Sequence, residues 1–144
     1  MDRLLALYHK LNSAGARFYT WDLMGAPAAT LEVDGSYGIF MDFDEIKGSA
    51  EEAVVVAHEG GHFSTGATHK VSSPYDLVEK HEHKAWKWAV QNLISAEELD
   101  NAVASGYTSI WSLAEHFNVT PDFMRKAVCW YTYGNLDVDY YMNF

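Results

Sequence analysis

The segment from residue 49 to residue 62 reads SAEEAVVVAHEGGH, and it is the feature that most restricts how this chain can fold. Ser49, followed three residues later by Glu52, forms a capping-box pattern, which predicts that a helix begins here and continues through His62. Because His58 and His62 are four residues apart, both imidazoles would leave the same helix face, about 6 Å apart along the axis. The three consecutive valines have low helix propensity, so this helix needs tertiary packing and is predicted to be an interior helix.

The other elements are predicted from apolar spacing and from turn and capping residues. A first helix has its buried face at Leu4, Leu5, Tyr8 and Leu11 and should end at Gly15. Two strands, at residues 30–33 and 37–42, are joined as a hairpin across Asp34-Gly35-Ser36. Further helices are predicted at 74–93 (capped by Ser73), 95–106 (with a capping box at Ser95), 109–117 and 121–133. The order α-β-β-α-α-α-α-α predicts an α+β domain with a small sheet and a mostly helical C-terminal half.

The length of 144 residues predicts one domain over residues 1–144. Its parts would be an N-terminal helix and hairpin (1–48), the metal-site helices (49–94) and the C-terminal helices (95–144). No apolar run approaches the roughly 20 residues of a membrane span, and the N-terminus lacks the pattern of a signal peptide. Cys129 is the only cysteine, so no internal disulfide can form and the cytoplasm is the expected location. The net charge of −10 should repel nucleic acid and attract a basic protein partner.

His58, Glu59 and His62 have the spacing of a zinc hydrolase site. Two neutral imidazoles on one helix face can bind one Zn²⁺ at roughly 2.0–2.1 Å. Glu59, about 100° further round the helix, can stand beside the ion and act as the catalytic base. It would take a proton from water and pass it to the leaving amine. The prediction is one zinc ion per chain; the alternative is that both histidines are satisfied, partly buried side chains.

Glu82 is predicted as the third metal ligand, because it falls within an apolar stripe of the 74–93 helix. The stripe is formed by Leu77, Val78, Ala85, Trp88, Ala89 and Leu93. A carboxylate in such a stripe is costly to bury unless it is paired or bound to a cation. An internal ion pair or a hydrogen bond to a helix terminus is the alternative for Glu82. His69 is the second candidate, but HEGGHFSTGATH is one residue too long before its last glycine to match HExxHxxGxxH. His69 and Tyr75 are also candidate donors to the oxyanion of the transition state.

Residues 57–94, AHEGGHFSTGATHKVSSPYDLVEKHEHKAWKWAVQNLI, resemble the core of the ImmA/IrrE family of metallopeptidases. In that family, a helix with HExxH is followed by a helix carrying E-x-x-A-x-x-aromatic-A. The second pattern is matched by Glu82, Ala85, Trp88 and Ala89. Residues 113–136, LAEHFNVTPDFMRKAVCWYTYGNL, are similar to the C-terminus of the short members from phages and mobile elements.

The resemblance implies a zincin-like fold, with zinc held by His58, His62 and Glu82 and with Glu59 as general base and acid. The implied activity is that of an antirepressor, which cleaves a DNA-binding transcriptional repressor of a phage or mobile element. Two positions depart from the family pattern. Gly60-Gly61 replaces the more usual Leu-Gly, and would admit either a substrate backbone or a neighbouring element. Trp86 stands where many members have an acidic or amide residue that could support a zinc histidine, so a different group must orient His58 or His62.

Two other functions compete with this interpretation. Residues 113–128 have a sequence pattern similar to that of a DNA-binding helix-turn-helix. However, the only Lys or Arg residues within 107–144 are Arg125 and Lys126, and four acidic residues in the same segment outnumber them. Direct binding to nucleic acid is therefore not expected. The second competitor is a non-catalytic antirepressor with a structural or absent zinc, which would not need Glu59. If the chain is a peptidase, the strand at 37–42 is a candidate to bind substrate as an added β-strand.

Overall fold

The computed structural model describes residues 2–66 and 75–142. In this part of the chain the fold is mixed α+β, with seven helices and one three-stranded sheet, so the predicted α+β class is confirmed. The elements are α1 (Arg3–Ser13), β1 (Arg17–Thr20), β2 (Ala28–Val33), β3 (Ser36–Met41), α2 (Ser49–Thr65), α3 (Tyr75–Leu93), α4 (Ala96–Ala104), α5 (Ile110–Phe117), α6 (Pro121–Tyr133) and α7 (Val138–Tyr141). Among the described helices, none has the length and apolar character that crossing a bilayer requires.

The predicted hairpin is formed by β2 and β3, which pair antiparallel with Val33 opposite Ser36. Asp34 (φ 51°) and Gly35 (φ 79°) form its two-residue loop, and both lie in the left-handed region. This is the backbone of a type I′ turn, whose twist matches that of the flanking strands and for which Asp-Gly is a favoured pair. The local turn chemistry therefore fixes the register of the hairpin.

The strand β1 was missed by the sequence analysis. It pairs parallel with β3, and the sheet order is β1-β3-β2. Because β3 has a partner on each side, the prediction that residues 37–42 bind substrate as an added strand is wrong. Asp42 also lies outside the strand, where its carboxylate accepts hydrogen bonds from the backbone N–H groups of Leu23 (3.1 Å) and Asp44 (3.2 Å). In the described residues, the hairpin strand at the edge of the sheet is β2, which pairs with β3 alone.

The helix α2 occupies the interior of the molecule, as predicted for a helix so rich in β-branched residues. It packs against α1, α3 and the hairpin strands, and half its length is buried. The predicted capping box at its start is wrong. Gly48, with φ 95°, precedes the first turn, and the hydroxyl of Ser49 instead accepts a hydrogen bond from the Asn118 side chain at 3.0 Å. A contact to a residue distant in sequence thus replaces the local cap.

The C-terminal half follows the predicted capping signals closely. Ser95 and Glu98 form the reciprocal capping box of α4, each side chain bonding the other's backbone N–H at 3.1 Å. Thr120 caps α6, and Gly134, with φ 68°, ends it. The helix α3 ends at Leu93 as predicted, whereas its predicted start at Ser73-Pro74 lies outside the described residues. The short α7 was not predicted.

Candidate metal centre

The histidines His58 and His62 lie one turn apart on α2. Their ring centroids are 4.8 Å apart, with an angle of 64° between the ring planes. The His62 side chain is only 7% exposed, while that of His58 is 22% exposed. One imidazole is therefore enclosed, and the other borders the protein surface.

The helix α3 brings Glu82 to both imidazoles. Its Oε2 lies 2.7 Å from Nε2 of His58, and its Oε1 lies 2.9 Å from Nε2 of His62. The candidate ligand atoms of these three residues all lie within 4.8 Å of one another. The Glu82 side chain is 37% exposed. At Glu82, the apolar stripe of α3 therefore lies at the edge of the core and not in its interior.

The three side chains fit a metal ion. A four-coordinate zinc ion with bonds of roughly 2.0–2.1 Å places its ligand atoms about 3.3 Å from one another. The observed contacts of 2.7 and 2.9 Å are slightly shorter, so small side-chain movements would suffice to admit an ion between these atoms. Two imidazole nitrogens and a carboxylate oxygen also form a donor set that suits divalent transition metals.

Electrostatics keep Glu82 anionic. Hydrogen bonds from His58 and His62 hold the pKa of this carboxyl well below its usual range, and partial burial opposes them only in part. Each imidazole donates an Nε2 proton in these contacts. A metal ion at the same point would displace both protons, since only unprotonated nitrogen can bind it.

The carboxylate of Glu59 lies beside this cluster without belonging to it. Glu59 is 7% exposed, and burial raises the pKa of its carboxyl, while the nearby His58 and His62 lower it. The Thr30 hydroxyl on β2 lies 3.3 Å from Glu59 Oε2 and 3.1 Å from its backbone oxygen. The single hydroxyl proton of Thr30 is shared between these two oxygens, so Thr30 contacts the carboxylate and the backbone of the same residue.

The adjacent Gly60 and Gly61 admit neighbouring helices. A Cβ atom on Gly61 would lie 2.3 Å from the backbone oxygen of Ala85 on α3. A Cβ atom on Gly60 would lie 2.7 Å from a methyl group of Leu11 on α1 and 3.1 Å from the Trp88 ring. The Gly-Gly pair therefore allows close packing of the protein's own helices. Of the two explanations that the sequence left open, a substrate backbone or a neighbouring element, the structure supports the second.

Of the sequence-predicted site residues, His58, Glu59, His62 and Glu82 come together in the fold. His69 and the Tyr75 side chain lie outside the described residues. Thr30 was missed, and its only sequence signal is a polar side chain in a strand that also carries Ala28 and Leu31. Its role depends on a contact between residues 29 positions apart, which sequence periodicity does not encode.

Neither models of protein families, nor curated proteins, nor solved structures gave a match to this chain. The functional assignment therefore depends on the geometry of the site and on the sequence patterns described above.

Proposed function

We propose that this chain is a zincin-like, zinc-dependent endopeptidase that cleaves a partner transcriptional repressor. The observation that carries the proposal is the convergence of His58, His62 and Glu82 within 4.8 Å, beside a separate buried carboxylate, Glu59. Catalytic zinc sites use three protein ligands and leave one coordination position open, whereas structural sites use four. Three such residues converge in the described part of the chain, which favours the catalytic type.

The side chains would divide the work of peptide hydrolysis among them. His58, His62 and Glu82 would hold the zinc ion, which supplies a Lewis acid that polarises the scissile carbonyl and activates water. Glu59 would accept the proton of the attacking water at its carboxylate and donate it to the nitrogen of the leaving amine. Thr30 would contact that carboxylate during both transfers, since its hydroxyl lies 3.3 Å from Oε2.

The strand β2 is the best candidate to bind an extended substrate. In the described residues it pairs only with β3, so its other edge has unpaired backbone groups. The N–H of Asp42 donates to the oxygen of Pro27. In an antiparallel ladder, the backbone N–H and C=O groups of alternate residues point toward the partner strand. Those of Ala28, Thr30 and Glu32 therefore point toward the free edge. A peptide added there would lie beside the strand that contacts Glu59.

Glu32→Pro should raise KM for peptide cleavage by about 3–10-fold, because it removes one outward N–H that would bond the substrate. Zinc content should not change, since Glu32 is exposed and is not one of the clustered ligands. Steady-state kinetics of Glu32→Ala, which keeps the N–H, provide the matched control and should give the wild-type KM. Equal KM values for the proline and alanine variants would argue against β2 as the substrate strand.

A DNA-binding repressor is the proposed substrate for two reasons. The first is the resemblance of residues 57–94 to the ImmA/IrrE family, and the second is the net charge of −10, which favours a basic partner. Direct DNA binding is not favoured by the α5–α6 pair. Arg125 pairs with Asp122 at 2.9 Å, and the Lys126 ammonium lies 4.8 Å from the centre of the Trp86 ring, so both basic residues of α6 already have partners.

The test of the zinc site is metal content per chain, measured by mass spectrometry on protein purified without added metal. We expect about one zinc ion in the wild type and a large loss in Glu82→Ala, which removes one of three protein ligands. Glu79→Ala, an exposed carboxylate of the same helix, is the control and should retain zinc. Unchanged zinc in Glu82→Ala would move the third ligand to His69, and no zinc in the wild type even after its addition would overturn the peptidase proposal.

A further inference from the structure

The imidazole of His58 lies flat against the indole of Trp86. Their ring centroids are 4.1 Å apart, and the ring planes differ by 10°. Trp86 is on α3, one helical turn after Glu82, so both side chains leave the same face of that helix. One helix face thus supplies a candidate metal ligand and also the ring that packs against a second ligand.

The polar contacts of His58 make this stacking significant. Its Nε2 contacts Glu82 at 2.7 Å, and no protein group in the described residues hydrogen-bonds to its Nδ1. Metal-binding histidines ordinarily have their second ring nitrogen held by a carboxylate or a carbonyl group, which fixes the ring's orientation. In this protein the His62 ring meets the His58 ring at a steep angle, whereas Trp86 covers one face of it in a nearly parallel contact. This broad contact with Trp86 restricts rotation of the His58 ring.

Trp86 is itself held in place by α6. Its ring centroid lies 6.3 Å from that of Phe123, which is only 1% exposed. The Lys126 ammonium lies 4.8 Å from the centre of the Trp86 ring, within the range of a cation–π contact. The indole is therefore fixed by two residues of a helix that contributes no candidate ligand.

We propose that Trp86 is a positioning residue of the zinc site, which orients His58 by stacking in place of a hydrogen bond to Nδ1. This deepens the proposed function and rests on it, because the orientation matters only if His58 binds a metal ion. Stacking leaves the ring free to approach the ion along its own plane but resists rotation about the Cβ–Cγ bond. The departure from the family pattern at residue 86 thereby becomes an alternative way to orient the same ligand.

The test measures zinc affinity by competition with a chromophoric chelator for wild type, Trp86→Leu and Trp86→Phe. We expect Trp86→Leu to weaken zinc binding about tenfold, at the lower end of the range for groups that orient metal ligands. Trp86→Phe keeps a stacking ring and should stay within about threefold of wild type. Trp111→Leu, which removes an indole that is 70% exposed on α5, is the control and should have wild-type affinity.

A second measurement separates positioning from general loss of structure. The visible absorption of bound Co²⁺ reports ligand geometry, and it should change in Trp86→Leu but not in Trp111→Leu. If Trp86→Leu does not fold, Trp86→Met takes its place, since its longer, flexible side chain can fill an irregular gap without a ring. Two outcomes would overturn this inference alone, provided that the wild type binds zinc. In the first, the zinc affinity of the ringless variant stays within about twofold of wild type. In the second, the leucine and phenylalanine variants lose zinc affinity equally. Absence of zinc binding in the wild type would instead overturn the proposed function.

Discussion

Replacing Glu59 by glutamine should lower the rate of peptide cleavage by about 10²–10⁴-fold, while the protein still binds one zinc ion per chain. Glutamine has nearly the same shape but cannot accept the proton of the attacking water. Its amide oxygen can still accept the Thr30 hydroxyl, which lies 3.3 Å from Oε2 in the wild type. Glu59 is not among the three clustered ligands, so zinc content should not change. The measurement is single-turnover cleavage of a fluorogenic peptide library, with zinc determined on the same samples.

The matched control is Glu51→Gln, which makes the same change in the first turn of α2, far from the clustered histidines along the helix. Its cleavage rate should equal that of the wild type. Undiminished cleavage by Glu59→Gln would remove Glu59 from the mechanism. A wild-type protein that binds zinc and relieves repression without cleaving its partner, and whose Glu59→Gln variant does the same, would favour the non-catalytic antirepressor.

The elements that sequence reasoning predicted correctly are those whose cause is local. The hairpin follows from Asp34-Gly35, the start of α4 from Ser95 and Glu98, and the start of α6 from Thr120-Pro121. In each case the stabilising contacts join residues within a few positions of one another, so the pattern carries the information. The convergence of Glu82 with His58 and His62 was predicted by a less local argument, the cost of placing a carboxylate within an apolar stripe.

The elements that it missed depend on contacts between distant residues. The strand β1 has four residues and is defined by parallel pairing with β3, about 20 positions further along the chain. Without β1, the strand β3 looks like an edge with a free side, whereas the sheet order places it in the centre. Likewise, the Ser49 hydroxyl bonds Asn118 instead of capping its own helix. Tertiary packing decided these cases, and single-residue propensities do not describe it.

The close approach of α2 and α3 predicts a large effect for Gly61→Ala. The new Cβ would lie 2.3 Å from the backbone oxygen of Ala85, whereas an ordinary contact needs about 3.5 Å, so α3 must retreat by about 1 Å. Overpacking of this kind costs about 1–3 kcal/mol or more, because backbone cannot rotate aside as a side chain can. The gain of about 1 kcal/mol in helix propensity offsets only part of it. We expect the free energy of unfolding to fall by about 2 kcal/mol, measured by urea denaturation with a chelator present.

The same displacement should also weaken zinc binding, because Glu82 precedes Ala85 by three residues on α3 and must move with it. Gly60→Ala separates this effect from the general consequence of adding a methyl group to α2. Its new Cβ would meet the terminal methyl groups of Leu11 at 2.7 and 2.9 Å and the edge of the Trp88 ring on α3 at 3.1 Å. All of these are side-chain atoms, which can shift without displacing the backbone of α3. Gly60→Ala should therefore lose about 1 kcal/mol or less and retain zinc affinity. Equal losses of stability and of zinc affinity in the two variants would mean that the α2–α3 contact does not set the position of Glu82.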